Sequence, residues 1–270
     1  MTSRRPLSIC LALALAACGS SSQNTPDART PDAGPAAGKR YVLVHGAWLG
    51  AAGWTTVADR LRADGATVTT VELPAHGADT TPVADATFPS YVARVDAAID
   101  AAGGPVILVG HSMGGMVITQ VAENRPSDLE RLIYVAAFVP TDGQTLFALA
   151  MSDADSQIGP HLVFTADTVG IDQAFFVDLF CADCSASDKA ALAAQYRDEP
   201  IAPLMTPITR TAAFDAVPRR YVHTSMDLAV SPAAQTAMVT ATPMEREITL
   251  ATSHVAMMAM PEAVADALLP

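Results

Sequence analysis

The order of apolar and polar positions along the chain predicts strands that alternate with helices. Short runs rich in β-branched residues mark the strands, and stretches with apolar residues three or four positions apart mark the helices. The predicted strands cover residues 41–44, 67–71, 105–109, 129–135, 219–224 and 245–250, and the predicted helices cover residues 54–63, 88–102, 115–123 and 261–269. Because alternating strands and helices form a parallel sheet with helices on both faces, the pattern predicts one α/β domain.

This alternation stops between Phe138 and Val217. The segment contains prolines, methionines and phenylalanines without a clear period, and we interpret residues 138–217 as a helical cap inserted over the sheet. A cap at this position would form one wall of a pocket and would influence substrate choice. Its candidate lining residues are the larger apolar side chains Leu146, Phe147, Phe164, Phe175, Phe176 and Met205.

The N-terminal part of the chain differs in composition from the predicted domain. Residues 1–17 are interpreted as a signal peptide, because a pair of arginines precedes an apolar run that is too short to span a bilayer. Residues 18–38 are interpreted as a flexible tether, since after the cysteine they contain no apolar side chain larger than Ala or Pro. We therefore expect the folded domain to cover residues 39–270.

The end of the predicted signal peptide carries a further signal. Leu15-Ala-Ala-Cys18 resembles the lipobox of bacterial lipoproteins, which implies cleavage before Cys18 and attachment of lipid to its thiol. The expected location is then a bacterial cell envelope, with a lipid anchor as the only membrane contact. Ordinary cleavage after Ala17, which would release a secreted protein, is the alternative.

Composition excludes some partners and cofactors. The 270-residue chain has a formal net charge of −12, so it would repel a phosphate backbone and no nucleic-acid partner is expected. Cys181 and Cys184 are separated by two residues, which permits either free thiols or, after export, a local disulfide. No second pair of cysteines or histidines stands at ligand spacing, so we expect no zinc or other metal.

The most specific chemical signal is Gly110-His-Ser-Met-Gly114, which follows a predicted strand and precedes a predicted helix. This pattern fits the G-x-S-x-G nucleophile elbow, in which a sharp strand-to-helix turn exposes the serine hydroxyl. Ser112 is therefore the predicted nucleophile. A serine in an ordinary glycine-rich turn is the alternative.

A serine nucleophile also needs a base and an orienting carboxylate. In sequences with this nucleophile elbow, the serine comes first along the chain, the acid second and the histidine last. His254 is the histidine that follows the last predicted strand, and it is the predicted general base. Asp227 follows the preceding predicted strand and is the predicted acid. Asp142, one strand earlier, is the alternative acid.

The remaining site residues are expected around the same end of the sheet. The backbone N–H groups of Ala47 and Met113 are predicted to form the oxyanion hole. Contacts to the substrate are expected from Gly46, His45, Phe138, Phe147, Phe176 and Val255.

These motifs resemble an α/β-hydrolase subfamily that contains plant methylesterases, hydroxynitrile lyases and bacterial esterases. The resemblance rests on Val42–Trp48, Gly110–Met116, Tyr134–Pro140 and Ser253-His254, and it extends over nearly all of residues 40–270. It implies an α/β-hydrolase fold with a mostly parallel sheet, the triad Ser112, Asp227 and His254, the Ala47 and Met113 amides as oxyanion hole, and neither metal nor cofactor.

The expected function is hydrolysis of small or medium hydrophobic carboxylic esters through an acyl-enzyme. The alternatives are hydroxynitrile lyase chemistry and ligand binding without catalysis. Gly46 and Val255 stand where lyases of this subfamily typically carry threonine and lysine. Without the lysine, no cation would stabilise departing cyanide, which disfavours the lyase.

Overall fold

Parallel strands form the centre of the structure, a computed structural model that describes residues 1–2 and 34–270. The strands, in chain order, are β1 (Arg40–Val44), β2 (Thr67–Val71), β3 (Val106–His111), β4 (Leu129–Val135), β5 (Leu162–Phe164), β6 (Thr168–Ile171), β7 (Glu199–Pro200), β8 (Arg219–Thr224) and β9 (Arg246–Leu250). Six of them pair in the order β2-β1-β3-β4-β8-β9, and every pairing in this sheet is parallel. The predicted parallel α/β sheet is confirmed.

Helices connect these strands across the sheet. The helices are α1 (Thr55–Ala63), α2 (Phe88–Ala102), α3 (Gly114–Asn124), α4 (Leu146–Ser152), α5 (Gln173–Phe180), α6 (Ala186–Gln195), α7 (Ile201–Leu204), α8 (Ala212–Asp215), α9 (Pro232–Ala241), α10 (Ala256–Ala259) and α11 (Pro261–Leu268). The chain moves outward from β1 to β2 and then back to β3. Because such crossovers are right-handed, α1 and α2 lie on opposite faces of the sheet. The pattern of apolar positions did not predict α9.

The start of α2 shows how local sequence sets these boundaries. The Thr87 side chain accepts a hydrogen bond from the Ser90 amide at 3.3 Å, and Ser90 Oγ accepts one from the Thr87 amide at 2.9 Å. This reciprocal capping box satisfies amides that have no partner inside the helix. Gly103 ends the helix with a φ of +69°, a conformation that glycine adopts without strain. The predicted helix 88–102 has these bounds.

The segment between β4 and β8 is not purely helical, which corrects the predicted helical cap. It contains α4 to α8, but β5, β6 and β7 also form a separate antiparallel sheet. These strands are two to four residues long, so they depend on pairing with each other rather than on a sequence pattern of their own.

The folded part begins earlier than the predicted boundary at residue 39. Ala36 is fully buried, and its amide donates to the carbonyl of Asp64 at 3.2 Å. The backbone around Ala36 therefore packs on the domain. The predicted signal peptide, Cys18 and the tether up to residue 33 lie outside the described residues apart from residues 1–2. Within the described residues, no helix combines the length and apolarity needed to cross a bilayer.

A buried ion pair joins the cap to the sheet domain. His76, after β2, donates through Nδ1 to the Pro74 carbonyl at 3.0 Å and through Nε2 to Glu199 of β7 at 2.7 Å. The other oxygen of Glu199 accepts from the Tyr91 hydroxyl of α2 at 3.0 Å. Since both ring nitrogens face oxygen acceptors, the imidazole is protonated and positively charged. Burial lowers the pKa of His76, but Glu199 and the Pro74 carbonyl together raise it above 6.5.

We predict that Glu199→Gln destabilises the protein in a pH-dependent manner. Because the folded-state pKa of His76 is raised, the stabilisation from its proton is complete below the unfolded pKa of 6.5 and is lost as pH rises through the folded pKa. Removal of the carboxylate should lower the free energy of unfolding by about 3 kcal/mol at acidic pH, and by less at alkaline pH. Denaturant unfolding of both proteins across that range measures the difference. An equal loss at all pH values would contradict the ion pair.

Candidate active site

A strained turn presents Ser112 between β3 and α3. Its φ is +52°, a left-handed conformation that is uncommon outside glycine. Backbone hydrogen bonds hold this conformation, because the Ser112 carbonyl accepts from the amides of Gly115 at 3.0 Å and Phe138 at 3.1 Å. The Ser112 amide donates in turn to the Val135 carbonyl at 3.3 Å. The geometry is that of a nucleophile elbow.

The elbow lies where the direction of strand addition reverses. From β1 the chain proceeds to β2 on one side, and from β3 it proceeds to β4 on the other. In open α/β sheets this switch point leaves a crevice at the carboxyl ends of the strands, where ligands bind. The loop after β1 carries Ala47, and the turn after β3 carries Ser112 and Met113, so these three residues meet at the crevice.

His254 and Asp227 form a buried pair in the loops after β9 and β8. Nδ1 of His254 lies 2.8 Å from Oδ2 of Asp227, and both side chains are almost completely buried. The carboxylate also accepts from the amides of Ala229 at 2.8 Å and Val230 at 2.9 Å and from the Thr224 hydroxyl at 2.7 Å. These donors compensate its buried negative charge.

This pairing fixes the tautomer of His254. Because Nδ1–H donates to Asp227, the lone pair of the neutral ring is on Nε2. Among the described residues, Nε2 of His254 has no hydrogen-bond partner, Ser112 included. The hydrogen bonds that transfer protons in active sites are often long without substrate and shorten when it binds.

The His254 loop lies against the elbow. His111, the residue before Ser112, donates through Nε2 to the His254 carbonyl at 3.1 Å, and the two ring centroids are 4.6 Å apart. The structure thus brings Asp227, His254 and the elbow together. Asp142 accepts instead from the Arg210 amide at 2.9 Å, and it makes no hydrogen bond to His254.

The amides of Ala47 and Met113 face the same space as the serine. Both residues line the cavity that contains Ser112. Among the described residues, neither amide has a backbone partner, so both N–H groups are free to donate to a substrate oxygen. Such paired donors are what an oxyanion requires.

An apolar cavity of about 90 Å³ opens on Ser112 beneath the cap. Ser112 and Ser156 supply the hydroxyl groups of its wall, and the Ser156 hydroxyl already donates to the Ala229 carbonyl at 2.8 Å. The other lining side chains are apolar or glycine: Ala47, Trp48, Met113, Phe138, Leu146, Phe147, Ala150, Met151, Ile158, Gly159, Leu162, Phe164, Val169, Leu204, Ala229 and Val230. No charged side chain from the part of the chain that the structure describes belongs to this lining.

Four of the expected pocket residues line the cavity: Phe138, Phe147, Leu146 and Phe164. Phe176 does not, because it packs inside the cap against Phe180 and Tyr196. Phe175 and Met205 are about half exposed on the cap surface.

The other expected contacts, His45, Gly46 and Val255, also lie outside the lining. His45 donates through Nδ1 to the Gly46 carbonyl at 2.8 Å and accepts from the Leu73 amide at 3.1 Å. Burial, with His76 nearby, lowers its pKa to about 3, so this ring is neutral and ties two loops together. Gly46 lies behind the serine, where a Cβ would come within 2.7 Å of the Ser112 Cβ. Val255 is fully buried.

Sequence reasoning missed part of the wall. Trp48 lines the cavity with a φ of +61°, and its indole donates to the Val169 carbonyl at 2.8 Å. Ala229 and Val230 enter the wall because they follow Asp227 in the same tight loop. Their position next to the predicted acid was the available signal.

The family model of the alpha/beta hydrolase family matches residues 41–267. The chain belongs to this family. Solved structures agree in fold: polyneuridine aldehyde esterase has a TM-score of 0.75 at 23% identity, covering 86% of this chain and 98% of that one. A pyrethroid hydrolase from Sphingobium faniae has a TM-score of 0.77 at 24% identity, covering 85% and 95%. The predicted family is confirmed.

Sequence relatives of this chain include plant and bacterial proteins. Putative methylesterase 11, chloroplastic, of Arabidopsis thaliana is 27% identical over 244 residues, which are 85% of this chain and 63% of that protein. A carbendazim hydrolyzing esterase of Nocardioides sp. is 40% identical over 115 residues, 40% of this chain and 46% of that protein. The chain therefore spans 46% to 63% of the length of these curated relatives.

We predict that Gly115→Ala distorts the elbow that presents Ser112. A Cβ at this position would lie 2.1 Å from the Phe138 carbonyl oxygen, so the backbone that holds Ser112 must move. The free energy of unfolding should fall by about 1–3 kcal/mol, and a fluorophosphonate probe should label Ser112 more slowly. Gly53→Ala is the matched control, since its Cβ would meet no atom closer than 3.5 Å. Equal labelling rates for both variants would contradict the prediction that a Cβ at position 115 displaces the backbone that holds Ser112.

Proposed function

We propose that the protein is a serine carboxylesterase that hydrolyses uncharged, apolar carboxylic esters through an acyl-enzyme. One observation carries the proposal: the imidazole of His254 is oriented by Asp227 beside a serine in elbow geometry, and its Nε2 has no hydrogen-bond partner within residues 34–270. Similar proteins named methylesterase and carbendazim hydrolyzing esterase support ester hydrolysis as the reaction class.

The geometry suits a two-step reaction. Nε2 of His254 takes the proton of Ser112 as Oγ attacks the ester carbonyl carbon, and Asp227 stabilises the imidazolium. The amides of Ala47 and Met113 donate to the oxyanion. The tetrahedral intermediate that carries this oxyanion then breaks down to the acyl-enzyme and releases the alcohol, which receives the proton from His254. Water then attacks the acyl carbon with His254 again as base. The bond between the acyl carbon and Ser112 Oγ breaks, Oγ takes the proton back from His254, and the carboxylic acid leaves.

We predict that Ser112→Ala lowers kcat for p-nitrophenyl acetate and butyrate by about 10⁶-fold, leaving only the residual acceleration from the oxyanion hole and binding. Asp227→Asn should lower kcat by about 10⁴-fold, because an amide cannot hold the required tautomer. Asp142→Asn is the control, since this carboxylate contacts Arg210 and not His254. Steady-state kinetics on the three folded variants measures the effects. Unchanged turnover by Ser112→Ala would end the esterase proposal.

The cavity wall argues for uncharged substrates of limited size. Its side chains offer no ionic partner to an acyl or alcohol group, and an unpaired charge that leaves water loses several kcal/mol of hydration. Its volume of about 90 Å³ is below the roughly 300 Å³ of a pocket that encloses a drug-sized ligand. A longer substrate would extend past the cap edge into solvent.

We predict strong discrimination against charge in the acyl group. The kcat/KM for a p-nitrophenyl ester of succinic acid, with its free carboxylate, should be at least about 100-fold lower than that for the butyrate ester. The methyl-capped succinate diester is the control, because it has a similar shape without the charge. Comparable kcat/KM values for the charged and capped esters would contradict an apolar acyl site.

Export and attachment through lipid on Cys18 belong to the same proposal. The structure contains a disulfide between Cys181 and Cys184, which favours an oxidising compartment outside the cytoplasm.

A further inference from the structure

The loop that carries His254 is attached to the cap through one carboxylate. Asp183 lies between α5 and α6. It accepts from the Thr252 hydroxyl at 2.6 Å, from the Ser253 amide at 3.2 Å and from the Ser253 hydroxyl. Thr252 and Ser253 immediately precede His254, and both are fully buried. Asp183 therefore fixes the backbone on one side of the imidazole.

The hydrogen bonds that Asp183 accepts favour its ionised, negatively charged form. Burial raises the pKa of Asp183, but the hydrogen bonds from Ser253 and Thr252 lower it below its usual range. An ionised carboxylate makes stronger hydrogen bonds to hydroxyl and amide donors than a neutral acceptor does. The contact is thus a charged clamp between cap and loop.

The same short cap segment holds the other side of His254. The Val255 amide donates to the Phe180 carbonyl at 3.1 Å, and the Phe180 ring lies edge-on to the His254 ring with centroids 4.9 Å apart. Residues 180–184 consequently contact the residue before the histidine, its ring and the residue after it.

A covalent ring stiffens this segment. Cys181 and Cys184 form a disulfide with their Cα atoms 5.1 Å apart, and Asp183 lies inside the ring that the bond closes. Cys181 is fully buried. Asp183 does not line the cavity, so it does not contact a substrate there, and its contacts instead reach the loop that carries His254.

We propose that Asp183, held by the Cys181–Cys184 disulfide, is a positioning residue that sets His254 for proton transfer. The inference rests on the proposed esterase function for its kinetic consequence. It assigns the cap a role in the catalytic step, in addition to its role as a wall of the pocket. A displacement of about 1 Å in a reacting group can cost about 100-fold in rate, so loss of the clamp should affect kcat more than KM.

The first test replaces the carboxylate. Asp183→Ala should lower kcat for p-nitrophenyl butyrate by about 10- to 100-fold with KM changed by less than about twofold. Asp183→Asn keeps one acceptor oxygen and should recover part of the loss. Asp188→Asn is the control, since this cap carboxylate bonds to Ser185 and does not contact the His254 loop. A kcat for Asp183→Ala within about twofold of wild type would overturn the proposal.

The second test opens the ring. A dithiol reductant attacks one sulfur, the S–S bond breaks, and a second exchange leaves two cysteine thiols and the oxidised, cyclic dithiol. Reduced wild type and the double variant Cys181→Ser/Cys184→Ser should show the same lowered kcat, and the double variant should not respond to the dithiol. Full activity after thiol titration has verified reduction would overturn the role of the disulfide.

A third measurement does not depend on ester turnover. The NMR signal of the His254 ring, assigned by its loss in His254→Gln, should shift in Asp183→Ala and in Ser253→Ala, which removes the hydroxyl hydrogen bond to Asp183 from the loop side. Unchanged signals in both variants would overturn the proposal. If wild type hydrolysed no ester, the esterase proposal alone would fail, and a changed His254 signal would still support the positioning role.

Discussion

The left-handed backbone of Ser112 is the constraint on which the arrangement of the site depends. A residue with a Cβ adopts this conformation only when neighbours hold it, and here the amides of Gly115 and Phe138 bond to the Ser112 carbonyl. This requirement brings α3 and the segment after β4 into close contact with the elbow. The crevice at the switch point of the sheet then supplies the free amides of Ala47 and Met113.

Carboxylates organise the loops around that elbow; Asp227 is buried, whereas Asp183 is exposed and Asp153 is partly buried. Asp227 orients His254 from the loop after β8. Two cap residues hold the surrounding chain: Asp183 bonds to Ser253, and Asp153 accepts from the Ser231 amide at 2.8 Å. The cap therefore contacts both the loop of the acid and the loop of the histidine. A charged acceptor with several donors gives each loop a single conformation, which an apolar contact would specify less strictly.

The sequence predicts the elements whose signal is local and not those that depend on distant partners. The β-branched run of β4 and the amphipathic α2 have the predicted bounds. The cap strands are too short to have a period of their own, and α9 is rich in Ala and Thr, which gives little contrast between its faces. Asp227 and His254, predicted from their order after the last two strands, are hydrogen-bonded to each other in the structure. Adjacency to the motifs also suggested His45 and Val255 as substrate contacts, yet adjacency in sequence does not fix which way a side chain points.

The scarcity of polar groups in the cavity wall has a consequence for selectivity under the proposed function. A hydrophobic pocket distinguishes ligands that differ by one methylene by only about 1–3 kcal/mol, whereas hydrogen bonds to a ligand permit far sharper rejection. With the Ser156 hydroxyl already bonded to the Ala229 carbonyl, recognition depends on shape and on partition out of water. Such an enzyme would accept many esters, with gradual differences in kcat/KM between them. The range of esters accepted would change mainly with the size of the cap side chains.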